Sequence, residues 1–343
     1  MTIRDFLQDE IDVGSFPSAA WAVGSRRGLE EEGALGHACV IGARIRATTE
    51  TIYDCASTTK PLITGTLVLQ AVAERKISLE DEYRGHRFRD LMTHTTGLKA
   101  WLPMYAYDDY LAAIERDGRE CERGTRVIYS DLNFVLLWSA LRELFGSYEE
   151  AARTRIFEPL GLRDAMFHPP SALRPRIAAT EWGQFYERGM CATRTVIFNG
   201  FREGLIWGET NDGNSHHAGG TAGNAGLFAT ARDVFRIAQA FATGELVPTA
   251  LVEEATRNYT SGMADDRGLG WQLPTPGSIA TGMLSPRAYG HTGFTGTSVW
   301  TDPDADRVMV LLTNRVHPCA APIAMQRIRG EFHRLALAAP SSS

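Results

Sequence analysis

Strand-like segments stand at both ends of this chain with helical patterns between them, and this arrangement limits the folds open to it. Near the start, "PSAAWAVGSRRG" (17–28) and "ALGHACVIG" (34–42) flank the acidic, glycine-bearing "LEEEG" (29–33), which reads as a solvated turn of an antiparallel hairpin. Near the end, "TSVWTDPD" (297–304) leads through a Pro-Asp turn into the apolar "DRVMVLLTNR" (306–315), a second hairpin. Helical spacing marks 58–76, 131–146 and 231–242, with a short helix at 2–12 and a closing one near 320–337. The expectation is an α/β (α+β) fold in which N- and C-terminal segments build one antiparallel sheet flanked by helices. Residues 1–84 plus 231–343 would form a discontinuous lobe and 85–230 a mostly helical insertion, with the active site between them.

Charge and cysteine usage narrow the function classes. A net charge of −6 without a basic block excludes a nucleic-acid surface. No run approaches the roughly 18 apolar residues of a membrane span. The opening "MTIRDFLQDEIDVG" is charged and has no apolar core of a secretory signal. The five cysteines (39, 55, 121, 191 and 319) are scattered without a CxxC pair. Reduced thiols and a cytoplasmic location are expected. Oligomeric state stays open.

Only three lysines occur, Lys60, Lys76 and Lys99; the other 32 of the 35 basic residues are arginine. A lysine kept in such a chain is a candidate for work that needs a proton released near neutral pH, which arginine cannot do. In "CASTTKP" (55–61), Ser57 and Lys60 stand three apart at a predicted helix start, on one face, with Pro61 in or after the first turn. A neutral, buried Lys60 amine could take the Ser57 proton, and a helix N-terminus would favour the resulting alkoxide. A capped helix with a solvated lysine gives the same spacing.

Two further stretches add groups. In "IYSDLNF" (128–134), a catalytic Ser130 would be partnered two residues on by Leu132, which cannot hydrogen-bond, whereas Tyr129 would be partnered by Asp131, which can. Tyr129 is thus the candidate proton relay; the alternative is a packed tyrosine with Asp131 as N-cap. In "YGHTGFTGTSVW" (289–300), His291, Thr292 and Gly293 lie on a predicted strand. Glycine there signals close approach by another molecule, and the Phe294 N–H could join the Ser57 N–H as an oxyanion hole. A plain hairpin with a hydrogen-bonded histidine fits equally.

Taken together, S-x-x-K, Y-S-D and H-T-G resemble in order and spacing the motif set of the serine β-lactamase and penicillin-binding-protein superfamily. They are similar to its branch of class C β-lactamases, D-alanyl-D-alanine carboxypeptidases, D-aminopeptidases, esterases and acyltransferases. "LMTHTTGL" (91–98), "IFEPLGL" (156–162) and "GNAGLFATARDVFRIAQAF" (223–241) extend the resemblance over about residues 15–330. It implies an acylated Ser57, Lys60 and Tyr129 as base and relay, and His291-Thr292-Gly293 as the substrate-side strand. Asp131 stands where asparagine is usual, His291 where class C enzymes carry lysine, and no E-x-x-L-N segment appears. These departures argue against an efficient β-lactamase, and a neutral imidazole would hold a substrate carboxylate weakly.

Other residues are weaker candidates. Cys55 reads as buried and unreactive. His216 and His217, adjacent on a presumed strand, would face opposite ways and lack a third metal ligand; His217 is placed at the pocket. His94 reads as a turn residue. Trp101, Tyr105, Tyr107, Trp182, Phe185, Tyr186 and Trp207 could form an apolar substrate wall. The resulting expectation is a serine hydrolase or acyltransferase that handles a small-molecule ester or amide in cytoplasmic or biosynthetic metabolism and needs no cofactor or metal. A D-amino-acid peptidase and a silent binding protein of the same fold are the alternatives.

Overall fold

The computed structural model describes residues 1–194, 196–275 and 277–339. Strands β1 (Ser18–Ser25), β2 (Gly28–Cys39) and β3 (Ile45–Arg46) join β4 (Tyr289–Thr292), β5 (Ser298–Asp302) and β6 (Arg307–Thr313). The six form one sheet in the order β3-β2-β1-β6-β5-β4, with antiparallel pairing throughout. The β1–β6 pair, in register at Trp21 opposite Leu311, welds the two ends of the chain together, as the two hairpins lead one to expect.

Period-two alternation separates the faces of the sheet. Ala19, Trp21, Val23, Met309 and Leu311 meet α1 (Ile3–Asp12) and α5 (Met325–Ala338) through Phe6, Leu7, Ile328 and Phe332. Ala20, Ala22, Val308, Val310 and Leu312 meet α4 (Ala231–Ala242) through Val234, Phe235 and Ile237. That second cluster runs on without a break into α2 (Thr66–Ala73) and α3 (Asp131–Phe145). From Leu132 to Leu141 every residue of α3 is buried, as a helix surrounded by other elements requires. Among the described residues, no helix is long and apolar enough to cross a membrane.

Two local expectations are corrected. The acidic stretch 29–33 is strand, not turn: the chain reverses at Arg26 and Arg27, and β2 starts at Gly28. Its carboxylates have partners there, Glu30 with Arg307, Glu31 with the Trp21 indole and Glu32 with Arg232. Gly33 faces Trp21 directly, and a Cβ there would lie 2.2 Å from the indole. The segment after Ser57 is not α-helical from its start either. A 3₁₀ turn (Ala56–Thr58) passes into a π-helical turn (Lys60–Gly65) before α2 begins at Thr66. Pro61 brings no N–H to an α-helical ladder, and π-turns gather at functional sites. Charge stabilisation beside Ser57 therefore falls to individual amides rather than to an α-helical N-terminus.

Candidate active site

The turn that presents Ser57 is held from three directions. Asp54 accepts from the Ala56 amide (2.8 Å) through one carboxylate oxygen and from the Asn211 amide (2.7 Å) through the other. Burial pushes this carboxyl up to about 6. Ala56 sits at φ +47°, a left-handed conformation that costs a non-glycine residue about 1–3 kcal/mol and persists only where its surroundings enforce it. The β4–β5 hairpin supplies that enforcement: Thr295 Oγ1 donates to the Asp54 carbonyl (2.8 Å) and Thr297 Oγ1 to the Cys55 carbonyl (3.0 Å). The buried Cys55 side chain itself turns to the Tyr53 carbonyl, and burial raises its thiol pKa.

Lys60 is fully buried; its amine donates to Ser57 Oγ (2.9 Å) and the Asn224 carbonyl (3.0 Å) and forms an ion pair with Asp131 Oδ1 at 2.6 Å. Three such oxygens suit the three protons of an ammonium. Burial alone would pull the Lys60 pKa down, but Asp131 and then the Tyr129 phenol outweigh it, and the net direction is up. Burial raises the Asp131 carboxyl while Lys60 opposes it. The Asp131 charge thus favours the ammonium form of Lys60 against burial. That direction runs against the uncharged amine expected from the sequence. Asp131 is also not an N-cap: Ser130 occupies that position, and Asp131, the first helical residue of α3, turns to Lys60.

Tyr129 lies among four charged or titratable groups. Lys60 Nζ is 5.0 Å and Arg267 Cζ 5.3 Å from its ring centre, and the His94 and His291 rings are 4.8 and 5.7 Å away. His94 Nδ1 accepts from the Ser130 amide (3.0 Å), which leaves its proton on Nε2. His291 Nδ1 donates to the Thr292 carbonyl (2.8 Å), so its Nε2 is a buried lone pair without a protein partner. Burial, then Arg267 and Lys60, hold both imidazoles well below the usual histidine range, and both are neutral.

Ser57 and Phe294, whose amides are the oxyanion candidates, line the same cavity. The Phe294 N–H has no protein acceptor among the described residues. At Gly293 a Cβ would lie 2.1 Å from Thr297 Oγ1 and 2.8 Å from the Cys55 carbonyl. The close approach anticipated at this glycine is thus made by the chain itself, and it draws the Phe294 amide toward the Ser57 turn.

These groups open into a cavity of about 790 Å³, lined by Ser57, Trp101, Tyr129, Asp131, His291, Thr292, Gly293 and Phe294 among others. Tyr186 lines it and stacks on Phe294 at 4.8 Å. Tyr105 and His217 do not. Their rings meet each other (5.0 Å) and Phe198 (4.6 and 5.2 Å) in an aromatic cluster behind the wall. Trp182, Phe185 and Trp207 are likewise absent from the lining, Trp207 being turned to the Ile177 carbonyl. His216 and His217 belong to a short helix, Gly213–His217, not a strand. Sequence reasoning missed His94 as a neighbour of Tyr129, and missed Arg267, Glu181, Asn211, Asp212, Arg315 and Arg329 as lining residues. His94 stands in the quoted LMTHTTGL stretch; no short motif marks the others, since they meet only through the fold.

The family model described as Beta-lactamase matches residues 3–330. A protein of Salmonella paratyphi B, provisionally named a D-alanyl-D-alanine carboxypeptidase, is 28% identical over 92% of this chain and 83% of its own. Two solved structures share the fold. The octameric penicillin-binding protein homologue from Pyrococcus abyssi superposes with a TM-score of 0.74 at 19% identity, over 98% of this chain and 76% of its own. EstCE1, a hydrolase with promiscuous acyltransferase activity, gives 0.73 at 17% identity, over 98% and 96%.

Proposed function

The chain belongs to the β-lactamase family of serine hydrolases, and from that premise we propose that it cleaves or transfers the acyl group of a small-molecule ester or amide through an acyl-enzyme on Ser57. The observation that carries the reading is the amine of Lys60, buried and shared between Ser57 Oγ, Asp131 Oδ1 and the Asn224 carbonyl. As Ser57 Oγ attacks the substrate carbonyl, Lys60 passes one proton to Asp131 and takes the serine proton in its place. The carbonyl oxygen, turned to alkoxide, receives the Ser57 and Phe294 amides, an arrangement in which a single donor is worth about 10²–10³ in rate.

Collapse of that intermediate expels the alcohol or amine, which takes a proton from the Tyr129 hydroxyl. Tyr129, whose ring centre lies 5.0 Å from the Lys60 amine, regains a proton from Lys60, and Asp131 returns its own. Water, or an acceptor alcohol or amine, then repeats the steps in reverse order and frees Ser57. No step in this sequence requires a cofactor.

The loop after β4 bears on the substrate. Arg315 Nε donates to the Phe294 carbonyl (2.6 Å) and Arg329 to the Gly293 carbonyl (2.9 Å). A peptide running past the end of β4 would meet two carbonyls that each already accept an arginine bond. That favours a compact acyl group over an extended peptide.

A fluorophosphonate or a p-nitrophenyl ester incubated with the protein should leave one covalent adduct, located by mass spectrometry on the peptide that contains Ser57, and Ser57→Ala should lose both adduct and turnover. Turnover that survives in Ser57→Ala would remove the acyl-enzyme.

A further inference from the structure

One wall of the cavity presents acceptors and few donors. Asn211 is 5% exposed, lines the cavity and leaves its Oδ1 without a hydrogen-bond partner. Glu181, 2% exposed, takes the Asn211 side chain and the Tyr186 amide and feels the Arg202 charge, yet burial pushes it up to about 7. Asp212 follows Asn211 in the chain, lines the same cavity and accepts from the Ser215 amide (2.7 Å). A buried acceptor left bare costs about 1–3 kcal/mol, so an unpartnered amide oxygen in a wall that also carries Glu181 and Asp212 calls for a donor from outside the protein.

The nearby cations do not meet that need. Arg202 spends its donors on Gln184 Oε1 and on the Thr210 and Asn211 carbonyls. Arg267 is paired with Asp265, and Lys60 with Asp131. Glu187, the other acid of this wall, is satisfied by Tyr105, Gln184 and the Gly213 amide. Nor do the acids converge as metal ligands do: among the described residues no three such groups are placed to hold an ion.

We propose that Asn211, Glu181 and Asp212 form a subsite for a protonated amine carried by the acyl group of the substrate. The proposal rests on the serine-hydrolase reading of the same cavity. Its position relative to the chemistry follows from Asp54, whose two oxygens tie the Asn211 amide to the Ala56 amide next to the nucleophile. The wall thus begins one carboxylate's width from the Ser57 turn, and the amine sits a few bonds from the scissile carbonyl. Asn211 Oδ1 takes one N–H and the two carboxylates share the others, a match for the three donors of an ammonium.

Two measurements test this. In the first, p-nitrophenyl esters of β-alanine and butyrate, which differ by an ammonium in place of a methyl, are compared as kcat/KM corrected for spontaneous hydrolysis. The wild type should favour the β-alanine ester by about tenfold or more, the yield of a charge-assisted hydrogen bond, and Glu181→Gln should bring that ratio toward one. In the second, β-alaninamide and butyramide are titrated by NMR into the Ser57→Ala protein, so that binding is read without turnover. The amine-bearing amide should bind several-fold tighter, with shifts at Asn211. Equal or weaker binding of β-alaninamide overturns the subsite whatever the esters show. Failure of both esters together with an unlabelled Ser57 overturns the hydrolase reading, while the titration still decides the subsite.

Discussion

Asp131 Oδ1 lies 2.6 Å from Lys60 Nζ, and this contact favours the charged amine against burial. With asparagine at 131 the amine would lose its counter-charge while remaining fully buried, and burial acts to pull it down. Asp131→Asn should therefore lower the Lys60 pKa relative to the wild type. The protein has only three lysines, so ¹⁵N-lysine labelling gives three side-chain signals that can be assigned by substitution and followed with pH. A Lys60 signal that titrates identically in both proteins would show that Asp131 does not govern the amine.

Removal of the cation tests the same pair from the other side. Lys60→Met leaves the Asp131 carboxylate facing an apolar chain, and breaking one partner of a buried pair costs about 3–5 kcal/mol. A double variant, Lys60→Met with Asp131→Leu, should recover most of that loss in denaturant unfolding. Turnover of a p-nitrophenyl ester should stay down by about 10²–10⁴ in both, the usual share of a proton-transfer group. Stability regained together with activity would show that Lys60 serves packing alone.

Gly293→Ala probes the oxyanion amides without touching a reacting side chain. The new Cβ would meet Thr297 Oγ1 and the Cys55 carbonyl below contact distance. The hairpin must then move away from the Ser57 turn and carry the Phe294 amide with it. Loss of one donor predicts a fall of about 10²–10³ in kcat, with a stability cost of about 1–3 kcal/mol from overpacking. Covalent labelling of Ser57 by a fluorophosphonate should slow in parallel, since its adduct uses the same amides. An unchanged kcat would place the oxyanion site elsewhere.

What could be read from the chain before its fold was known divides along the range of the interactions. The terminal hairpins, α3 and α4 follow from local periodicity, and the sheet that joins both ends follows from the hairpins being apolar. Ser57, Lys60, Tyr129 and His291 were legible because each stands in a short motif. The charge on Lys60 was not, since it depends on whether Asp131 caps its own helix or reaches across to another segment, a choice made by tertiary geometry. The strand at 29–33 was hidden because Glu30, Glu31 and Glu32 look solvated until Arg307, Trp21 and Arg232 are brought beside them. Tyr105 and His217 are aromatic residues near the site in sequence terms, but they found each other and Phe198 instead of the cavity.

The carboxyl of Asp54 links that tertiary geometry to stability. It ends in two backbone amides, one beside the nucleophile and one in the acceptor wall, and burial raises it from 3.8 to about 6. An acid whose pKa is higher folded than unfolded favours the folded state while protonated. Its contribution is complete below about pH 4 and is lost as pH rises through about 6. A shift of this size corresponds to about 3 kcal/mol. In Asp54→Asn no proton is exchanged at this position, so that segment of pH dependence should vanish. Urea midpoints from pH 4 to pH 8 would give a difference between wild type and variant that changes steadily up to about pH 6 and is flat above it. A constant difference across the whole range would mean that Asp54 keeps an ordinary carboxyl pKa in the fold.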